Sequence, residues 1–336
     1  MSRYALFFLP FVVIAVFVLM AARDRRRKGK DSRSPGFFQR NGVALSTYLL
    51  VAVGFWTIMI IVLPQLYMIE YSFRPNLTAA QIGGPKDVYT LANYRYLIFG
   101  RPGDSETLNW LHLGAFLHTI VISVLITFFD FCFCYPLAYY MAQVAHGGRT
   151  RLLILCLIVP FWVNELLRAF AFKILFGTSG LIDSLLVATG ILSEPYDFLK
   201  HDIGLYAGLS YAYILSMIFP LYNAIESLDK NQIEAARDLG APWWHIHLFV
   251  VMPYAKPGIA AGCTLVFMLC AGALAAPQIL GGPSSLWFTQ VVYNWFFQAF
   301  DWTRGSAYAF ALLVSCIIFV LVMLRLFKVS LAEIAR

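Results

Sequence analysis

Long apolar runs, separated by polar or glycine- and proline-rich stretches, dominate the pattern of hydrophobic and polar positions along the chain. Each run is about 20 residues long, which suits a bilayer-crossing α-helix, and none alternates as a barrel strand does. The pattern therefore predicts seven membrane-spanning helices. Their expected bounds are residues 4–22, 46–69, 114–142, 152–175, 203–224, 257–281 and 305–328.

The composition agrees with a lipid environment. Of the 336 residues, 60% are hydrophobic and only 13% are charged. So few charges could not cover the apolar side chains of a water-soluble domain of this length. Because a spanning backbone must satisfy its own hydrogen bonds in lipid, we expect an all-α, polytopic transmembrane helical bundle.

The formal charge of +7 is best explained as an orientation signal. If the stretch after the first run is cytoplasmic, most of the 25 Lys and Arg residues fall on the inside, as the positive-inside rule requires. We therefore expect a periplasmic N-terminus and a cytoplasmic C-terminus in a multi-pass inner-membrane protein. Only Arg3 precedes the first run, so this run is predicted to be a retained anchor and not a cleaved signal peptide.

The runs and their connections predict the domain organisation. We expect an extra N-terminal anchor helix at 1–22, a basic cytoplasmic linker at 23–45, a transmembrane domain at 46–328 and a cytoplasmic tail at 329–336. The transmembrane domain contains a cytoplasmic loop at 226–256. Three tryptophans are expected in an interfacial aromatic belt. They are Trp287, Trp295 and Trp302.

The 226–256 loop is too long for a tight turn. Asp229 or Asn231 can cap a helix, Gly240 can end it, and Pro242 can open the next one. We therefore predict two short helices joined at the glycine. The loop can either dock a soluble partner or lie on the lipid headgroups as an amphipathic helix. Its two histidines, at positions 245 and 247, are expected to be surface residues without a function.

Residues Glu234 to Pro253 read EAARDLGAPWWHIHLFVVMP, with Gly six residues after Glu and Pro thirteen residues after Gly. This spacing resembles the cytoplasmic signature of ABC importer permeases, in which the loop forms a coupling helix that sits in a cleft of the ATPase subunit. The resemblance implies an ATPase-coupling role for six positions. They are Glu234, Ala235, Ala236, Arg237, Gly240 and Pro253.

Further segments are similar to the spermidine/putrescine type of this family, over about residues 50–328. They are ANYRYLIF at 92–99, YPLAYYMA at 135–142, PFWVNELLRAFAFKILFGTSGLIDSLL at 160–186 and LGGP at 280–283. The resemblance implies a MetI-like type I importer core of six helices plus one extra N-terminal helix, which imports a small organic amine. The chain departs from the type at Asp130 and Glu165, where uncharged residues are more usual, and at 272–277, where an acidic residue is absent.

The resemblance also implies the partners. They are a second permease subunit in a heterodimer, two ATPase subunits, an extracytoplasmic substrate-binding protein and membrane lipid, with no nucleic acid. The sequence contains no GxxxxGK[ST] phosphate loop and no HExxH motif, so we expect no catalytic residue, cofactor or metal on this chain. ATP and Mg would be bound by the partner subunits.

Charged residues inside predicted spans are candidates for the substrate pathway, because each costs about 2.5–3.5 kcal/mol or more at the bilayer centre. Glu165 and Arg168 share a helix face and predict either an internal ion pair or a Glu165 side chain that faces a cationic substrate. Asp130, among several phenylalanines, predicts an amine site; a protonated Asp or one paired with another subunit is the alternative. The phenylalanines are Phe128, Phe129, Phe131 and Phe133.

Trp162, Asn164 and Tyr293 are secondary pathway candidates, although each can equally serve packing or the aromatic belt. Other functions stay open from the residues alone. The cargo could be an opine, a betaine or an aminophosphonate, and the chain could be an ion-coupled secondary transporter that uses Asp130 and Glu165. It could also be a membrane scaffold that transports nothing.

Overall fold

The computed structural model describes residues 43–77, 81, 83–85, 87–100, 108–282 and 285–329. Every regular element in these ranges is helical, which confirms the all-α prediction. The predicted anchor helix at 1–22 lies outside the described residues, as do most of the 23–45 linker and nearly all of the tail.

The helices follow one another through short connections. In chain order they are α1 (Val43–Thr57), α2 (Leu63–Ser72), α3 (Ala92–Phe99), α4 (Trp110–Tyr139), α5 (Gly148–Phe161), α6 (Glu165–Phe176), α7 (Leu181–Ala188), α8 (Ile203–Glu226), α9 (Lys230–Asp238), α10 (Trp243–Ile246), α11 (Met252–Tyr254), α12 (Lys256–Ala271), α13 (Ala275–Leu280), α14 (Phe288–Phe297) and α15 (Trp302–Phe327). Within the same ranges, π-helical turns extend or join some of them. They are Ile58–Val62, Tyr140–Val144 and His247–Val251.

Among the described residues, five helical stretches are long and apolar enough to cross a bilayer. They are residues 45–72, 110–144, 165–188, 203–226 and 302–327. The helices on either side of Ala255 meet at 75° and provide a sixth if they count as one bent span. The spans predicted near 46–69, 114–142, 203–224 and 305–328 are thus confirmed, with boundaries shifted by a few residues.

The described chain forms two compact units that divide between Arg74 and Pro75. In the first unit, α1, a π-helical turn and α2 follow one another without a break, so that residues 45–72 form one apolar stretch. At its end, Arg74 donates to the Glu70 carboxylate one helical turn back.

The second unit is built around α4, α8 and α12, which pack against one another. Helix α8 contributes several fully buried apolar side chains to this packing. They are Leu205, Leu209, Met217, Ile218, Leu221 and Ile225. Apolar burial between helices gains little free energy in lipid, so close van der Waals packing must hold such a bundle together.

Helices α8 and α12 approach closely at Gly258 on α12. A methyl group at this position would collide with the Pro220 carbonyl oxygen and lie 2.5 Å from Ala224 Cβ. Residue 258 must therefore lack a side chain if α12 is to reach α8. Gly262, one turn further along, faces Met217 in the same way, and a methyl group added there would lie 2.8 Å from the Met217 sulfur.

The predicted span 152–175 is wrong, because the chain breaks inside it. Helix α5 ends at Phe161 and α6 begins at Glu165. Asn164 has an extended backbone, with ψ of 142°, and its side-chain oxygen accepts a hydrogen bond from Leu166 N at 2.8 Å. It thus caps a new helix, and α6 continues through a short turn into α7 as the apolar stretch 165–188.

Two further expectations from the sequence are corrected. The predicted span 257–281 ends early, because α12 stops at Ala271 and α13 is a separate short helix. Trp287 is 0% exposed and packs edge-on against the His118 ring, so it does not belong to an interfacial belt. The ANYRYLIF segment at 92–99 forms the short helix α3.

The tight contact at Gly258 generates a stability prediction. We expect Gly258→Ala to lower the free energy of unfolding by about 1–3 kcal/mol, because the added methyl group overpacks the α8–α12 contact. Gly114→Ala is the matched control, since position 114 in α4 has no atom within 4 Å of an added methyl group. It should be neutral or stabilising by about 0.5–1 kcal/mol. Thermal unfolding of the two purified variants checks this, and equal Tm values would contradict it.

Candidate functional site

The first helix of the 226–256 segment, α9, begins at a capped end. The Asp229 carboxylate accepts a hydrogen bond from Asn231 N at 3.0 Å, so Asp229 is the cap and not Asn231. Ile233 is 4% exposed and anchors the helix on the core, whereas Glu234 and Ala235 are exposed. One side of α9 is thus packed on the core, and the side that carries Glu234 and Ala235 is exposed and available for contact.

A glycine turn ends this helix. Gly240 has a φ of 76°, and its N–H donates to Arg237 O at 2.8 Å while Ala241 N–H donates to Ala236 O at 3.0 Å. This pair of bonds is the Schellman motif, which needs a left-handed residue at the turn. Pro242 then precedes α10, so the prediction of two short helices joined at Gly240 is confirmed.

The second half of the segment exposes large apolar side chains. Trp243 is 75% exposed and Phe249 is 69% exposed, and Leu239 at the turn reaches 88%. Ile246 and Val251, in contrast, are buried and hold the segment on the core. The segment therefore presents an apolar surface next to a charged helix, as a surface covered by another molecule does.

His247 connects this segment to the end of α4. Its Nδ1 shares a hydrogen bond of 2.8 Å with the Tyr135 hydroxyl, and its ring centroid lies 4.4 Å from that of Tyr139. Burial lowers the pKa of the His247 imidazole, which favours the neutral ring. His247 is therefore half-buried and partnered, where a surface position was expected; its expected lack of a function stays a prediction. Nothing in the local sequence signals a contact across so many residues.

Backbone contacts strengthen the same connection. Gln143, in the π-helical turn after α4, donates its Nε2 to Ile225 O at 2.7 Å and to Leu228 O at 3.3 Å. The Tyr254 hydroxyl donates to Ser227 O at 2.9 Å and so closes the segment on itself. These hydrogen bonds therefore fix the 226–256 segment to one end of the bundle, from which it projects.

Asp130 lies deep in the second unit and is 1% exposed. The Ser210 hydroxyl on α8 donates to Asp130 Oδ1, whereas Oδ2 has no hydrogen-bond partner among the described residues. The predicted aromatic surround is wrong, because neighbouring side chains on a helix point in different directions. Phe128, Phe129 and Phe133 are all more than half exposed, whereas Asp130 is buried, so these three rings do not enclose its carboxylate.

Glu165, at the start of α6, also bonds to α8. The Tyr213 hydroxyl donates to Glu165 Oε1 at 3.2 Å. Ser210 and Tyr213 are three residues apart and share a face of α8. The structure thus holds the two carboxylates, Asp130 and Glu165, along a single stretch of this helix.

The Glu165–Arg168 ion pair predicted from their spacing does not form. Arg168 Nη1 instead donates to Ala212 O at 3.5 Å, and the guanidinium carbon lies 4.8 Å from the Phe161 ring centroid. The hydrogen bond with Tyr213 directs the Glu165 side chain towards α8. Glu165 is therefore not paired with Arg168, three residues further along α6.

None of the secondary candidates forms a side-chain hydrogen bond with Asp130 or Glu165 among the described residues, although Asn164 directly precedes Glu165 in the sequence. Trp162 is 80% exposed and, with Asn164, forms the break between α5 and α6. Tyr293 stacks on Phe297 of α14, with ring centroids 4.7 Å apart, and among the described residues it makes no hydrogen bond or ring contact with Asp130 or Glu165. The described part of the chain also has no group of His, Cys, Asp and Glu suited to a metal ion.

These features define a polytopic helical membrane protein whose 226–256 segment projects from one end of the bundle. Residues 134–330 match the family model of the binding-protein-dependent transport system inner membrane component, and the chain belongs to this family.

The relatives agree with this assignment. The spermidine/putrescine transport system permease protein PotB of Escherichia coli K12 is 33% identical over 266 residues, which cover 79% of this chain and 92% of that protein. The PotB protein of Haemophilus influenzae is 32% identical over 275 residues, covering 81% and 91%. The resemblance to ABC importer permeases of this type is thereby confirmed.

Solved structures share the fold. A bacterial ABC transporter involved in the import of the acidic polysaccharide alginate has a chain with a TM-score of 0.64, at 15% identity, over 87% of this chain and 96% of that chain. The same kind of transporter in complex with an alginate pentasaccharide-bound periplasmic protein gives 0.66, at 15% identity, over 88% and 98%. At this identity the likeness shows the architecture alone.

The turn at Gly240 generates a local prediction. Gly240→Ala should loosen the α9–α10 turn, because a left-handed conformation costs an ordinary L-residue about 1–2 kcal/mol. Gly240→Asn is the control, since Asn tolerates this conformation better than Ala does. Hydrogen–deuterium exchange over residues 230–246 should be fastest in the Ala variant and intermediate in the Asn variant. Equal exchange in Ala variant and wild type would contradict the turn.

Proposed function

We propose that this chain is a permease subunit of an ATP-driven importer and that its 226–256 segment docks an ATPase subunit. The observation that carries the proposal is the exposed pair of short helices at Lys230 to Ile246, which His247 and Gln143 fix to the end of α4. Because the exposed surface of the 226–256 segment is held in place by these contacts, it can transmit movement of a bound partner to the membrane helices. The coupling residues would be Glu234, Ala235, Ala236, Arg237, Gly240 and Pro253.

The orientation follows from the same role. The 226–256 segment faces the cytoplasm, where ATP is available, and the positive-inside distribution of Lys and Arg supports this placement. Because α4 runs the length of the bundle, its Trp110 end then faces the periplasm. The N-terminus is periplasmic and the C-terminus is cytoplasmic.

The functional unit needs further chains. A second permease subunit of similar fold would complete the pathway, two ATPase subunits would bind ATP and Mg, and an extracytoplasmic binding protein would deliver the substrate. The periplasmic protein bound to the alginate transporter supports the last of these. The absence of a phosphate-loop motif from this sequence supports ATP hydrolysis on separate chains.

The cargo is a small organic amine, with polyamines such as spermidine and putrescine the preferred class. The names of the PotB relatives support this choice, and so do the two carboxylates held along α8. Asp130 is closed off in this conformation, so substrate can reach it only when α4 and α8 separate. Alternating access supplies such a movement.

One observation favours a second candidate, an ion-coupled secondary transporter. The unpartnered, buried Asp130 Oδ2 is also suited to binding a proton or a cation. Transport that requires ATP supports the importer, whereas transport that persists without ATP and follows an ion gradient supports this alternative. An opine, a betaine or an aminophosphonate would be distinguished by competition against labelled spermidine.

Glu234→Arg tests the docking role. We expect the variant to insert normally but to lose the ATPase subunits and most uptake, because the reversed charge lies on the exposed side of α9. Gln232→Arg is the control: it adds a positive charge at an exposed position on the opposite side of the same helix. Co-purification of the ATPase and uptake in intact cells are measured. A stable ATPase complex with full uptake in Glu234→Arg would refute the docking surface.

Asp130→Asn tests the pathway role. Loss of the charge should raise the substrate concentration for half-maximal uptake about tenfold or more, since a hydrogen bond to a charged group contributes about 1.5–3 kcal/mol. Ser210→Ala removes the hydroxyl that bonds to Asp130 but keeps the carboxylate, so it should affect uptake less. ATPase assembly should be intact in both variants. Unchanged uptake kinetics in Asp130→Asn would remove Asp130 from the pathway.

A further inference from the structure

Arg304 lies between two aromatic rings at the end of the bundle remote from the 226–256 segment. Its guanidinium carbon is 4.4 Å from the Tyr96 ring centroid and 5.1 Å from that of Trp295. The two rings are nearly perpendicular, at 84°, with centroids 5.7 Å apart. Helices α3, α14 and α15 thus build a two-walled aromatic site around a cation, which the electron-rich ring faces attract.

A buried carboxylate completes this site. Asp301, just before α15, is 4% exposed, and its Oδ1 accepts hydrogen bonds from Thr303 Oγ1 at 2.8 Å and from Arg304 N at 3.0 Å. Its Oδ2 lies 3.4 Å from Arg304 Nε. A carboxylate so far from water requires a nearby cation.

The ion pair between Arg304 and Asp301 has an open geometry. A guanidinium group binds a carboxylate most strongly through two parallel N–H bonds, whereas here Nε makes a single long contact. The Arg304 side chain is 35% exposed and the Asp301 side chain only 6%. An external cation can therefore approach the aromatic walls and compete with Arg304 for a carboxylate that water cannot screen.

The position of the site suits substrate entry. His112, near the start of α4, contacts Trp295 edge-on at 6.1 Å, whereas Tyr135, near its end, contacts His247 in the 226–256 segment. These two positions are about 35 Å apart along the helix. In the proposed orientation the aromatic site therefore faces the periplasm.

We infer that Tyr96, Trp295 and Asp301 form an ammonium-binding site in which Arg304 is a tethered occupant that an incoming substrate displaces. The ligand is the primary ammonium group of a small organic amine, so the substrate part of this inference rests on the proposed function. An ammonium group donates directly to Asp301 Oδ2 while the rings contact its charge. Arg304 returns when the amine moves on and keeps the buried carboxylate neutralised between transport cycles.

A binding experiment tests the site without transport. The complete importer complex is placed in lipid nanodiscs without the binding protein, and its thermal unfolding is followed with increasing putrescine. Arg304→Ala leaves the site without its occupant, so putrescine should raise the Tm of this variant by about 2–4 °C, and that of the wild type by less. The double variant Arg304→Ala/Asp301→Asn should show no shift. Asn at position 301 still caps α15, so the control removes the charge and keeps the cap.

Uptake kinetics then separate displacement from a purely structural contact. Arg304→Ala removes the competitor, so half-maximal uptake should need several-fold less amine and the maximal rate should fall because release is slower. The Asp301→Asn variant should need several-fold more amine for half-maximal uptake. Arg304→Lys, which keeps a tethered cation, should resemble the wild type. Shifts of opposite sign support displacement.

Two results would overturn the inference. One is a putrescine shift that is equal in Arg304→Ala and in the double variant. The other is a half-maximal amine concentration that rises in both Arg304→Ala and Asp301→Asn, as expected if Arg304 merely holds α3 to α15. Failure of the proposed function is separate: it would appear as a wild-type complex that takes up no amine, while the unfolding experiment still tests the site.

Discussion

The close approach of α12 to α8 at Gly258 determines how the rest of the second unit is arranged. Because position 258 has room only for a hydrogen atom, the backbones of the two helices approach closely, and α4 packs against both helices. In lipid, where apolar burial gains little, contacts of this closeness supply the association energy. The same contact positions Ala255, where the chain bends by 75° from the 226–256 segment into α12.

Helix α8 is consequently the element on which the polar groups of the bundle converge. It supplies Ser210 to Asp130 and Tyr213 to Glu165, and its end receives Gln143 from the turn after α4. In the proposed importer, ATPase movement at the 226–256 segment would act on α4 through His247 and on α8 through Gln143. Separation of these two helices would expose the Asp130 and Glu165 carboxylates. The docking surface and the substrate pathway would therefore be coupled through α4 and α8.

Local sequence signals predicted much of this fold. Long apolar runs located α4, α8 and α15, and Asp229, Gly240 and Pro242 predicted the paired short helices, because caps and left-handed turns depend on residues adjacent in sequence. The break between α5 and α6 was missed, since Asn164 within an apolar run resembles a tolerated polar residue. Only the fold shows that it caps a helix.

The candidate site was predicted in part. Asp130 and Glu165 were found because charges in apolar runs are rare, but their partners Ser210 and Tyr213 lie on another helix. His247 and the aromatic site around Arg304 were missed for the same reason. Apart from the contacts of Arg304 with Asp301 and Trp295, these contacts join residues tens to hundreds of positions apart, so no periodicity or spacing within one segment predicts them.

The central claim is that the exposed turn between α9 and α10 meets an ATPase. A photoreactive amino acid at Leu239, 88% exposed at that turn, tests it in the complete complex in cells, with Leu111 at the other end of α4, 66% exposed, as the control position. The account predicts a crosslink from position 239 to a nucleotide-binding subunit and none from position 111. A position 239 that crosslinks only to lipid or to periplasmic proteins would contradict it.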